Sequence, residues 1–393
     1  EPCMKRVVCI LLLAGLVVSV MPAQFVTMPP VVAKDARSMG MGGAFRVFST
    51  GYSSFFGNPA GFASSGSLTF ADMGIWAYVK PTMDKLDKVR ELSQIQDESE
   101  FQQAVLNTAM DWYLENEGLG GGATLGGGWA GNGFAFGANV VTDWVPVGPS
   151  LMSSRLTPVL QANAVVGVAN EARLGPFGFK LGVDGRIFYR VQAAGNGWGF
   201  DTLLSEYLQN GSFQFSSLTM LGGYGFAADA GVVLSIGPLM VGFAARDIGM
   251  AFALEPFTAQ DLADYGFSAL PITGESRYTL TPRYAAGIGI RLFENSLFEP
   301  SAYAEVDEPF VLLRSATPAQ DVWNYLHAGA ELRLLKFVTG RAGFNKGWIS
   351  LGAGIDLALL EIDAAIFTEE VGLYAGERGR SGLSLQASLK IGR

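Results

Sequence analysis

The chain has 393 residues, of which 49% are hydrophobic and only 16% are charged, whereas soluble domains are about 25% charged. The net charge of −9 argues against nucleic-acid binding, and the single histidine, His327, argues against a multi-histidine zinc site. We therefore expect a protein that is not an enzyme and that binds no metal or cofactor. We interpret His327 as a hydrogen-bonding residue, the alternative being a catalytic one.

Residues 1–23 are typical of a secretory signal peptide. A basic start, Met4 to Arg6, precedes an apolar run from Val7 to Val20, and Ala23 suits cleavage. Both cysteines, Cys3 and Cys9, would leave with this leader. After it, no apolar stretch reaches the roughly 18 uninterrupted residues of a transmembrane helix.

Residues 24–66 lack the alternation of strands and are rich in glycine and phenylalanine. Glycine permits a close approach of backbone to backbone, and the pair Asn58-Pro59 sets a turn. Such a segment can fill a wide barrel that would otherwise leak. We predict that residues 24–66 form a hatch, or plug, which brings Phe55 and Phe56 into the lumen. The alternative is a periplasmic extension packed beneath the barrel.

From about residue 122 onwards, apolar and polar residues alternate with period two. Between Phe177 and Arg190, the odd positions are almost all apolar, while the even positions include Lys180, Asp184 and Arg186. Most of the candidate strands run to about 10–14 residues, and a tilted strand needs about 9–11 to cross a bilayer. We count fourteen: 67–79, 122–130, 132–144, 157–170, 175–191, 220–236, 237–248, 281–293, 298–308, 323–334, 336–345, 347–357, 359–368 and 381–391.

Short and long connections alternate between these strands, with one exception at Lys346. Transmembrane barrels show this asymmetry, because their periplasmic turns are short and their extracellular loops are long. The pattern predicts an all-β fold, a transmembrane antiparallel β-barrel of about 14 strands over residues 67–393. It also places both the N- and C-termini on the periplasmic side.

Two extracellular loops have helical patterns, at residues 84–116 and 201–209. In the first, Phe101, Trp112 and Tyr113 recur at helical spacing. With Phe252 from a later loop, they are candidates for an outer capture groove. Alternatively, they form the apolar core of a loop cap.

Five cations are candidates for ligand binding in the lumen. A carboxylate that leaves water requires a cation and hydrogen-bond donors. The inward positions offer Lys180, Arg186, Arg190, Arg283 and Arg291. An internal network with lumenal carboxylates such as Asp184, Asp229 and Glu305 is the alternative.

The segment RSMGMGGAFRVFSTGYSSFFGNPAGFASSG, residues 37–66, contains two motifs. These are Gly40-Met41-Gly42-Gly43-Ala44 and Asn58-Pro59-Ala60-Gly61. The segment resembles the N-terminal hatch of FadL-type outer-membrane transporters and is similar to the FadL-like outer-membrane proteins of treponemes. Phe62 stands where that family usually has leucine.

This resemblance implies passive, hatch-gated uptake of long-chain fatty acids or other hydrophobic molecules by a protein surrounded by outer-membrane lipid. The chain departs from many such barrels at its end, Leu389 to Arg393, which lacks a terminal aromatic residue. The alternative function is an outer-membrane scaffold or shuttle that interacts with secreted or surface proteins, because one fold serves many functions. The sequence leaves the oligomeric state open.

Overall fold

A computed structural model describes residues 26–115, 119–148, 150–210, 218–271, 277–293 and 296–392. The predicted signal peptide, residues 1–23, lies outside these ranges. Within them, no helix is both long and apolar enough to cross a membrane.

Fourteen antiparallel strands close into a barrel, which confirms the predicted fold class. Each strand pairs with its sequence neighbour, and the first pairs with the last, so that Trp76 lies opposite Ser384. The strands are β1 (Ser67–Tyr78), β2 (Gly120–Gly131), β3 (Phe134–Trp144), β4 (Val159–Leu174), β5 (Phe177–Ala193), β6 (Thr219–Ile236), β7 (Leu239–Gly249), β8 (Arg283–Arg291), β9 (Phe298–Asp307), β10 (Leu326–Leu334), β11 (Val338–Asn345), β12 (Trp348–Asp356), β13 (Leu360–Glu370) and β14 (Gly379–Ile391).

The two faces of the strands differ as the period of two requires. In β5, Asp184 and Arg186 are buried in the lumen, whereas Val183 and Ile187 are exposed on the outside. Exposed apolar side chains form an outer belt around the barrel, which is a surface suited to hydrocarbon and not to water. The belt includes Ile75, Leu125, Phe136, Val166, Ile187, Phe226, Val241, Ile288, Ile349, Leu351, Ile366 and Leu385.

The connections are sorted between the two ends of the barrel. At the turn end they are short, as at Asn132-Gly133, where both residues have positive φ (55° and 89°), the conformation of a tight hairpin turn. The opposite, loop end has the long connections and, among the described residues, one tight turn, Lys346-Gly347. Both the sorting and its exception follow the sequence pattern.

Helices occupy several loop-end connections, including both predicted ones. The helices are α1 (Ala36–Gly40), α2 (Met83–Leu92), α3 (Glu98–Glu115), α4 (Phe200–Asn210), α5 (Ala259–Tyr265), α6 (Pro309–Arg314) and α7 (Pro318–Asp321), with 3-10 helices at Gly51–Phe55, Pro59–Ala63, Gly266–Ala269 and Val322–Asn324. Short strands lie at Val26–Met28, Pro146–Val147, Arg155–Leu156, Trp198–Gly199, Phe252–Ala253, Glu255–Thr258 and Arg277–Leu280.

The described chain begins at the loop end of the barrel. Val26–Met28 pairs in parallel with Arg277–Leu280, which belongs to the long connection between β7 and β8. The last strand, β14, finishes at the turn end. The two ends of the described chain therefore lie at opposite ends of the barrel and not on one side as predicted, while the periplasmic placement stays a prediction. The reason is that the N-terminal segment crosses the lumen before it reaches Ser67.

Candidate functional site

The hatch, residues 26–66 in the described chain, lies inside the barrel against glycines of the strands, as predicted. A Cβ added at Gly40 would stand 2.9 Å from the Cα of Gly352 on β12. At Gly343 and Gly182, an added Cβ would overlap hatch backbone. The wall glycines whose added Cβ would meet the hatch are Gly126, Gly137, Gly167, Gly182, Gly231, Gly242, Gly287, Gly329, Gly343 and Gly352. Glycine is therefore frequent in these strands partly because the backbone and side chains of the hatch approach the wall closely.

The first hatch motif turns its backbone toward a carboxylate of the wall. Gly42 and Gly43 have positive φ (69° and 84°). The amides that follow, of Phe45, Arg46 and Val47, donate to the Glu305 carboxylate at 2.8, 3.2 and 3.0 Å. Glu305 is completely buried. Successive N–H groups pointing at one anion form a strong anchor, because each bond is charge-assisted.

His327 holds the same turn from a neighbouring strand. Its Nδ1 lies 2.8 Å from the carbonyl oxygen of Gly42, to which it donates, and its Nε2 lies 3.0 Å from Oδ2 of Asp307. Asp307 also accepts from Arg46 at 2.7 Å. In this structure His327 is a hydrogen-bonding residue of the lumen.

The second hatch motif braces the first. The buried Asn58 side chain accepts from the amide of Ala60 at 2.9 Å and donates to the carbonyl of Val47 at 2.8 Å. Arg246 on β7 donates to the carbonyls of Gly57 at 2.6 Å and Phe55 at 2.8 Å. Arg246 was not among the cations predicted from the sequence. The pattern that could have identified it is the inward face that it shares with Gly242 and Ala244.

Three of the five predicted lumenal cations lie on β5. Lys180 donates to Oγ of Ser64 in the hatch at 2.9 Å. Arg186 pairs with Asp247. Arg190 donates to the carbonyl of Pro29 at 2.8 Å.

The other two predicted cations lie on β8. Arg283 pairs with Asp247 at 2.6 Å. Arg291 donates to the carbonyl of Phe48 at 3.3 Å and to the hydroxyl of Tyr303 at 2.9 Å. All five cations thus contact hatch or wall groups, but of these contacts only those of Arg186 and Arg283 are with a lumenal carboxylate, as in the alternative of an internal network. A ligand role for them stays a prediction.

The two predicted phenylalanines of the hatch have different surroundings. Phe55 is buried in the hatch core, with its ring 5.4 Å from those of Tyr52 and Phe62. Phe56 is half-buried and lines a cavity on the loop side of the hatch. Of the pair, Phe56 is the one placed to meet a ligand that enters from the loop end.

The predicted outer groove is divided between two places. Phe101, Trp112 and Tyr113 all lie on α3, where Tyr113 is buried and donates to the carbonyl of Gly148 at 2.6 Å. Phe252 instead packs against Phe188, at a ring distance of 5.3 Å, in a separate cluster. The structure therefore does not join Phe252 to the three α3 residues in one surface, and a groove on α3 stays a prediction.

Two neighbouring spaces lie on the loop side of the hatch. The larger, the loop-side cavity, measures about 330 Å³ and combines apolar side chains such as Met39 and Phe56 with charged side chains of both signs. The smaller, the rim pocket, measures about 150 Å³ and extends to Tyr284 on β8. Both are lined by Arg46, Phe56, Gly57, Arg283, Asp307 and Lys346.

Lys346 is a cation of this site that was not among the five predicted from the sequence. Its Nζ lies 3.9 Å from Oδ2 of Asp307, whereas Arg46 and His327 approach the same carboxylate to 2.7 and 3.0 Å. Burial lowers the pKa of Lys346 below its ordinary value. An ammonium that is partly desolvated and weakly paired is suited to an anionic head group. The sequence feature that could have identified Lys346 is its position in the tight turn at the loop end.

The turn-side cavity, beyond the hatch, has a different character. Its volume is about 870 Å³, and both acidic and basic side chains line it. Among them are Arg37, Glu171, Lys180, Arg291, Glu299, Glu331, Arg333, Asp356, Glu361, Asp363 and Lys390. The hatch thus separates a space lined by apolar side chains and by charges of both signs from a larger and more polar one.

No protein-family model and no curated protein matches this chain. Several solved structures are similar to it over nearly their whole length. The toluene transporter TodX of Pseudomonas putida is 11% identical, with 93% of this chain and 99% of that chain covered and a TM-score of 0.47. The toluene transporter TbuX of Ralstonia pickettii is 13% identical, with 94% and 99% covered and a TM-score of 0.46.

A FadL homologue of Pseudomonas aeruginosa is 13% identical, with 93% of this chain and 99% of that chain covered and a TM-score of 0.41. FadL-type proteins are thus among the solved structures similar to this chain, and theirs is the family that residues 37–66 resemble.

Proposed function

We propose that this chain is an outer-membrane transporter for hydrophobic molecules that have an anionic head group, with long-chain fatty acids as the substrate class. Residues 24–66 act as the hatch and residues 67–393 as the barrel. The ligand binds in the loop-side cavity before it passes the hatch.

The observation that carries this proposal is the position of the loop-side cavity inside a closed, hatch-filled barrel. Its volume of about 330 Å³ lies within the range of about 300–1,000 Å³ typical of small-molecule sites. Binding sites of this kind pair an apolar lining with a few placed polar groups. Here Met39 and Phe56 supply apolar surface, and Lys346 stands at the rim.

The chemistry of binding follows from these groups. The hydrocarbon chain leaves water against Phe45, Phe56 and Met39, a contribution of about 25 cal/mol for each Å² of apolar surface buried. The carboxylate loses its hydration and requires a cation in return. Lys346 is suited to this role because Asp307 is already held by Arg46 and His327.

The hatch is the barrier to further movement. Glu305, Arg246 and Asn58 tie its backbone to the wall, and the space beyond it is strongly polar. Transport therefore depends on a rearrangement of the hatch and not on simple diffusion through an open pore.

Ligand binding to Lys346→Gln tests the proposal. We expect a fluorescent long-chain fatty acid to bind this variant about tenfold more weakly than the wild type, the loss of about 1.4 kcal/mol from a charge-assisted contact. Lys88→Gln is the matched control, because Lys88 lies exposed on α2.

Wild-type protein that neither binds the probe nor speeds its entry into vesicles contradicts the proposal. Co-purification with a secreted protein, together with an empty cavity, would then favour the scaffold or shuttle function.

A further inference from the structure

The wall of the barrel is short on one side. Strands β8 to β12 have 8–10 residues, whereas β4, β5 and β6 have 16–18. A tilted strand needs about 9–11 residues to cross the hydrocarbon of a bilayer. The loop ends of β9 and β10 therefore lie at the bilayer surface. The connection between them, residues 308–325, lies there as well.

The helix α6 in this connection is apolar and lies on the outside of the barrel. After Pro309 it reads Phe-Val-Leu-Leu-Arg, and its Leu313 is 81% exposed. Phe310 packs edge-on against Tyr284, with 5.1 Å between ring centroids, and against Phe243 at 5.9 Å. Phe243 and Tyr284 face outwards, because their neighbours Gly242 and Arg283 face the hatch and the lumen.

The apolar surface of α6 is thus continuous with the outer belt. Val241 and Ile288, on the same two strands as Phe243 and Tyr284, are exposed members of that belt. Further along the connection, the half-exposed Trp323 packs edge-on against Phe344 at 6.2 Å. Tryptophan favours the boundary between hydrocarbon and head groups.

Tyr284 also lines the rim pocket. The residue whose side chain supports α6 on the outside is thus also one of the residues around the space that Phe56 and Arg46 line at the hatch. Glu308, which immediately precedes α6, and Tyr325, which follows Trp323, line this pocket as well. The connection between β9 and β10 thus has one face toward the outer belt and its base at the ligand site.

We propose that α6 and Trp323 form a lip that inserts into the outer boundary of the lipid bilayer, and that amphiphiles enter the rim pocket from the membrane, past Tyr284. The part concerning entry rests on the proposed function. The partner that the lip contacts is lipid. The apolar surface of the lip continues the lipid-facing belt, and it ends in Arg314, whose charge is suited to the head-group region.

Spin labels measure the position of the lip directly. The label is attached at Leu313→Cys, with Cys3 and Cys9 replaced by serine, in phosphatidylcholine vesicles. Leu351→Cys in the outer belt is the lipid reference, and Lys88→Cys on α2 is the water reference. We expect the label at 313 to be reached by oxygen and protected from a water-soluble nickel complex, as at 351.

Accessibility to nickel like that at position 88 overturns the proposal. So does protection from both reagents, which indicates a covering protein. Quenching of tryptophan fluorescence by brominated lipid is a second measurement that needs no label. We expect part of this quenching to disappear in Trp323→Phe, and unchanged quenching contradicts the insertion of the lip.

Transfer rates test the route. We expect Leu313→Glu to slow transfer of a long-chain fatty acid from donor membranes about fivefold, the effect of a charge near the bilayer boundary. Transfer of a short, water-soluble fatty acid should be as in the wild type. Equal slowing of both, or of neither, overturns entry from the membrane. Wild-type protein that transfers neither contradicts the proposed function instead, while the label at 313 still decides the position of the lip.

Discussion

Replacing Glu305 by alanine should release the centre of the hatch. Its buried carboxylate accepts the amides of three consecutive hatch residues, Phe45, Arg46 and Val47. Alanine removes the acceptor and leaves these donors facing the apolar Tyr303 and Met41 cluster. The strand ladder of β9 is not touched, because its pairing with β8 and β10 uses backbone groups only.

The size of the effect follows from the number of bonds. A hydrogen bond to a charged group contributes about 1.5–3 kcal/mol, so the loss of three bonds costs roughly 4–6 kcal/mol after partial rehydration. This is comparable with the whole stability of many domains, about 5–15 kcal/mol. Glu305→Gln keeps the shape of the side chain and one carbonyl acceptor, and we expect about half the effect.

Single-channel conductance and limited proteolysis are the assays. We expect brief openings and faster cleavage within residues 41–58 for Glu305→Ala, with fewer openings for Glu305→Gln. Glu299→Ala is the matched control, since Glu299 lies on the same inward face of β9 but lines the turn-side cavity. If Glu305→Ala stays as closed and as protease-resistant as Glu299→Ala, the carboxylate is not the anchor of the hatch.

Three further predictions concern the hatch and its cavity. Gly343→Ala should destabilise the folded protein by about 1–3 kcal/mol, since the added methyl group overlaps hatch backbone, while Gly340→Ala on the other face of β11 should stay within about 0.5 kcal/mol; thermal unfolding in detergent compares them. Arg246→Met should lower the free energy of unfolding by about 3–5 kcal/mol, because it leaves Asp229 buried without this partner. Amide hydrogen exchange at residues 54–57 should become faster. Unchanged exchange would show that Arg246 does not hold the hatch. Burial lowers the pKa of Lys346, so fatty-acid binding should weaken as the pH rises through that lowered pKa, at a lower pH than an ordinary lysine would require. Measuring the binding affinity as a function of pH checks this. A pH dependence of the affinity that Lys346→Gln leaves unchanged contradicts it.

The sequence was informative wherever the signal was local. The alternation in Phe177–Arg190 depends only on the two faces of one strand, so it predicted which side chains of β5 face the lumen. Connection lengths depend only on strand order, and even the exception at Lys346 is present in the structure. The two hatch motifs are also local, because their turns are set by glycine and by Asn58-Pro59.

The pairing of the hatch with the wall could not be predicted in this way. Glu305 meets Phe45 across 260 positions of the chain, and that contact exists only once fourteen strands have closed in one register. For the same reason, the sequence identified lumenal cations but not their partners, and it missed Arg246 and Lys346 as groups around the hatch and cavity. Alternation assigns a side chain to a face of a strand, whereas barrel closure decides which group stands opposite it and at which end the hatch enters.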